Sequence, residues 1–84
     1  MKQKMDVKSV ALTVGATFGV LHALGVLGMQ VGLMRYWMWA HLVSFQYEVR
    51  AFSLVAFIVG IVVASVVGAG VGWLFASVYN ALAR

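Results

Sequence analysis

The strongest constraint in this sequence is where charge is missing. No residue from Ser9 to Leu33 is charged, and none from Ala51 to Ala83. A hydrocarbon core of ~30 Å is crossed by about 20 helical residues. Each run exceeds that length once, and neither approaches two crossings. No Pro interrupts them, so each can be one continuous helix. The second run has residues to spare, which predicts tilting or projection beyond the bilayer.

Composition removes the alternatives. Soluble domains are about 45–50% apolar and about 25% charged. This chain is 64% hydrophobic and 10% charged, with a mean hydropathy of +1.02. So few charges cannot clothe a water-facing globule of 84 residues. A soluble enzyme domain and a disordered chain are both excluded. Without Cys there is no disulfide framework, thiolate metal site or cysteine nucleophile. The net charge of +4 is divided among the ends and the middle, so no specific nucleic-acid binding is expected.

These patterns predict an all-α transmembrane helical hairpin. Residues 1–8 form a basic lead, 9–33 the first transmembrane helix, 34–50 a connection, 51–80 the second helix and 81–84 the C-terminal end. Lys2, Lys4 and Lys8 imitate the start of a signal peptide, but the apolar run is too long for one, and a retained anchor is expected. Arg35, Tyr36, Trp37, Trp39, Tyr47 and Arg50 mark the connection as interfacial, because rings with a polar tip favour the headgroup zone. From Val43 to Arg50 apolar and polar residues alternate, which is a strand period. A lone strand would have no partner, so an extended or irregular connection is expected, with a short surface helix as the alternative. Lys2, Lys4, Lys8 and Arg84 at the ends outnumber Arg35 and Arg50 in the middle. The positive-inside rule then places both termini in the cytoplasm.

Small residues recur at every fourth position. The second run carries Ala56, Gly60, Ala64, Gly68, Gly72 and Ala76, and the first carries Ala11, Gly15, Gly19 and Ala23, with Gly28 and Gly32 beyond. Positions four apart share a helix face. Between helices in lipid, close backbone approach replaces the hydrophobic drive. A helical Gly costs about 1 kcal/mol relative to Ala in water, so something is expected to approach these backbones closely. One reading zips the two stripes against each other within a hairpin; the other turns at least one toward another subunit. Gly60, Gly68 and Gly72 are expected to carry the closest contacts.

His22 is the ionisable residue inside the first run, and such residues are functional suspects by default. Its readings are a neutral, hydrogen-bonded packing residue, part of a proton or ion path, or a haem or pigment ligand shared with a second chain. As a cofactor-binding candidate it stands alone, with no metal partner at helical spacing. Thr13, Thr17, Ser53, Ser65 and Ser77 can bond back to their own helix carbonyls. Asp6 and Glu48 fall on opposite sides of the membrane and cannot act as a pair. No catalytic set is present, and the Gly68–Gly72 run lacks the strand that a nucleotide loop requires.

Three stretches together, Met5–Thr13, the glycine-spaced second run and Gly72–Asn80 with its Tyr-Asn end, resemble a family of small two-span prokaryotic membrane proteins of unknown function. The resemblance covers nearly the whole chain. Members often carry an Asp where this chain has Val67, and a Pro-Gly turn in the connection where this chain has no Pro. The family implies two spans and no assigned activity. In architecture the chain is also similar to conjugative-type pilins, in which two apolar helices per subunit stack into an extracellular filament with bound lipid.

The function expected from these features is a non-catalytic structural subunit in the membrane, self-associating through its Gly/Ala stripes as a homo-oligomer or filament. The alternatives are an accessory subunit of a larger membrane complex and a pore-forming or holin-like permeabiliser. Membrane lipid is the expected partner, and a bound phospholipid suits the architecture. Arg35, Trp37, Trp39 and Arg50 are its interfacial and basic contacts.

Overall fold

A computed structural model describes residues 3–83 of the chain. Lys2 and Arg84, two of the charges on which the orientation argument rests, lie outside the described residues. The chain is all-helical, in the order α1 (Val7–Gln30), α2 (Leu33–Ala40) and α3 (Leu54–Leu82). Helices α1 and α3 are long and apolar enough to cross a membrane. They pack against each other as an antiparallel hairpin, and α2 leans on the end of α1. The molecule measures 50 × 33 × 14 Å, one helix layer thick.

Each boundary has a local cause. Asp6 is the extended residue before α1, and the Ser9 hydroxyl donates to its carboxylate. Gly32 ends the first apolar run with φ +89°, a left-handed conformation that L side chains avoid. Gly32, with the spacing of a packing residue, is therefore a hinge between α1 and α2. The connection combines both forms expected of it. Residues 33–40 are a short helix, and from Val43 to Ser53 the alternating segment has no regular structure. Leu42 turns the chain between them with φ 57°. Ser53 starts α3 by accepting the Ala56 N–H on its hydroxyl at 3.3 Å.

Two packed helices enclose little. Among the described residues Ala76 and Ala83 are the buried apolar side chains, and no large side chain is fully buried. Most of the surface of both long helices is left uncovered by the chain itself. Leu, Val, Phe and Trp side chains along both helices are accordingly exposed.

Candidate functional site

Among the described residues no group of three His, Cys, Asp or Glu could hold a metal ion. The organised features are a seam between α1 and α3, a clamp at one end of it and two cavities at the other.

The seam is made by glycines. A Cβ on Gly72 would stand 2.8 Å from the Val10 carbonyl oxygen and 3.0 Å from the Ala11 Cα. On Gly68 it would meet the Phe18 Cβ at 2.6 Å and the Val14 carbonyl at 2.8 Å. From the other side, a Cβ on Gly15 would lie 2.9 Å from the Ser65 carbonyl and 3.2 Å from Ala69. Gly19 is filled by the Ser65 hydroxyl. Backbone lies close to backbone here, the approach at which dispersion gains most between helices that lack a hydrophobic drive.

Most of the stripe residues sit in or beside this seam. Gly15, Gly19, Gly68, Gly72 and Ala76 are buried, and Ala11, Ala23, Gly60 and Ala64 are half-buried. Ala56 is exposed and borders a cavity at the open end of the hairpin. Helix geometry explains the departure. Each four-residue step advances about 40° past a full turn, so the stripe swings roughly half way round the helix between Ala56 and Ala76. The seam stays on one face by shortening a step, passing from Ala76, Gly72 and Gly68 to Ser65 and Ile61. Ser65 and Ala69 are the seam residues that a strict fourfold count overlooks; their signal is the mixed three-and-four spacing of residues that share a helix face.

Gly60 makes room for a side chain instead. The His22 ring lies over it, with Nε2 2.5 Å from where a Cβ would stand. His22 is thus packed on the α3 backbone, with its exposed side toward a cavity of about 430 Å³. Thr17 bonds back to the Thr13 carbonyl at 2.8 Å, as its position in a helix suggests.

Asn80 closes the end of the hairpin that carries the termini. Its carboxamide accepts the Met5 N–H at 2.7 Å and donates to the Met5 carbonyl at 2.9 Å. This two-way bond fastens the lead to the last turn of α3. The Tyr-Asn end stood out in the sequence, but its partner was a backbone group, which no residue pattern marks.

The opposite end is open. Gln30 donates to the Arg50 carbonyl at 3.1 Å and ties α1 to the connection. Beneath that bond lies a cavity of about 470 Å³, lined by Tyr47, Glu48, Arg50, Phe52 and Phe57 among others. The apolar cavity of about 430 Å³ adjoins it, sharing Val26 and Met29 and bounded by Trp37 and Phe45. Trp37 stacks on His41 at 4.2 Å, and the His41 ring bonds the Trp37 carbonyl. Arg35, Trp37, Trp39 and Arg50 are all exposed. No family model, curated protein or solved structure matches the chain.

Proposed function

We propose that this chain is a non-catalytic integral membrane subunit that assembles with copies of itself into an oligomer or filament. Both termini face the cytoplasm, and the aromatic connection lies at the opposite interface. The observation that carries the reading is Gly70. It sits on the face of α3 opposite the seam, and a Cβ there would meet nothing within 4 Å. The cost of a helical glycine is offset at Gly68 and Gly72 by contact within the hairpin; at Gly70 nothing among the described residues offsets it. Its neighbours one turn away, Val66, Val67, Trp73 and Leu74, are exposed at 66%, 54%, 55% and 56%. They rim a hole of the kind that takes a side chain from a facing helix. A second copy supplies that helix, because a two-helix layer leaves this face without a protein partner.

Gly70→Leu fills the hole without touching the hairpin. Native mass spectrometry from mild detergent should give oligomers for the natural chain and a shift to smaller species for the variant. Its helix content by circular dichroism should be unchanged. Oligomers of equal size in both proteins would rule this face out, and monomers alone in the natural chain would overturn self-association.

A further inference from the structure

The cavity at the open end of the hairpin has the chemistry of a headgroup site. It lies where three segments meet: the end of α1, the connection and the start of α3. Its volume, about 470 Å³, is in the range of small-ligand pockets. Two groups of opposite sign, Glu48 and Arg50, border it, two residues apart on one segment. Ser53, where α3 begins, borders it too, so the positive end of that helix dipole adds to Arg50. The apolar cavity next door shares Val26 and Met29 with it. A largely apolar chamber that carries Glu48, Arg50 and Ser53 on its lining and joins a second apolar one, at the depth where the aromatic belt begins, suits a phospholipid.

We infer that this cavity binds one phospholipid whose headgroup carries both a phosphate and a primary ammonium, a phosphatidylethanolamine-type lipid. Arg50 and the α3 N-terminus take the phosphate. The Glu48 carboxylate takes the ammonium, and Gln30, which borders the same cavity, offers its side-chain oxygen as a second acceptor, its amide nitrogen being bonded to the Arg50 carbonyl. An acyl chain runs past Val26 and Met29 into the space bounded by Trp37 and Phe45. Charge selects the class. The two side-chain charges in the cavity cancel, so a headgroup with a net negative charge would leave Glu48 facing it unpaired. A quaternary choline would offer no N–H to the carboxylate or the amide.

The inference rests on membrane insertion and not on self-association, and the test separates the two. Delipidated protein is titrated with dioleoyl phosphatidylethanolamine, phosphatidylcholine and phosphatidylglycerol, and adducts are counted by native mass spectrometry on each oligomeric species separately. One ethanolamine lipid per chain should be retained over the other two by roughly threefold or more, the scale of one exposed charge pair. Glu48→Gln should abolish that preference, and Arg50→Gln should weaken retention of all three lipids. Both positions are exposed, so the hairpin survives either change. Equal retention of the three lipids, or a preference untouched by Glu48→Gln, would overturn the assignment whatever the oligomeric state.

Discussion

At the residue scale six of the nine glycines fall into three uses. Gly15, Gly19, Gly68 and Gly72 bring two backbones together, Gly60 receives an imidazole, and Gly32 bends the chain. Spacing alone put all of them in one class. What sorts them is the partner across the seam, which depends on the register of two helices distant in sequence. The sorting has consequences. Gly68→Leu would drive a side chain into the Val14 carbonyl and the Phe18 Cβ. Backbone cannot step aside as a side chain can, so the cost should exceed the about 1–3 kcal/mol of ordinary overpacking. The variant's helices should separate at a clearly lower SDS mole fraction than those of the natural chain. It therefore reports on the hairpin, while Gly70→Leu reports on what lies outside it. Asn80 gives a second test. Asn80→Ala removes both bonds to Met5, each worth about 0.6–1.5 kcal/mol. Hydrogen exchange at the Met5 amide should then quicken several-fold, with exchange in the middle of α3 unchanged.

At the element scale, the two long helices were legible because charge is absent from both runs and nothing breaks them. Their ends were less so. The first run continues past Gln30 without a charge, yet α1 stops there, because the Val31 and Gly32 N–H groups turn back to the Gly28 and Met29 carbonyls and Gly32 takes a positive φ. Hydropathy has no term for that turn. The alternation from Val43 to Arg50 correctly signalled the absence of a helix, while the Trp-rich stretch before it formed one. Its aromatic and basic composition described the interface rather than the backbone. Gly32→Ala tests the hinge: a left-handed L residue costs roughly 1–2 kcal/mol. The variant should lose the break between α1 and α2, read as a longer distance between spin labels placed at Leu24 and Trp39. An unchanged distance would mean that the bend is held by contacts elsewhere.

At the scale of the whole molecule, the hairpin is a slab one helix thick, with almost nothing buried. The seam uses one face of each long helix and leaves the outer faces uncovered. The sequence supplied both readings of the small-residue stripes, packing within the chain and packing between chains. The structure gives the stripes largely to the first, so the case for assembly moves to the hole at Gly70. The chain contains no Cys, so a single introduced thiol reports one position without background. Gly70→Cys, bridged in the native membrane by a bismaleimide that spans one helix diameter, ~10 Å, should form a covalent dimer in high yield. Leu24→Cys, on the exposed surface of α1, should remain monomeric under the same conditions. Equal crosslinking at the two positions, or none at Gly70→Cys, would contradict assembly through the outer face of α3.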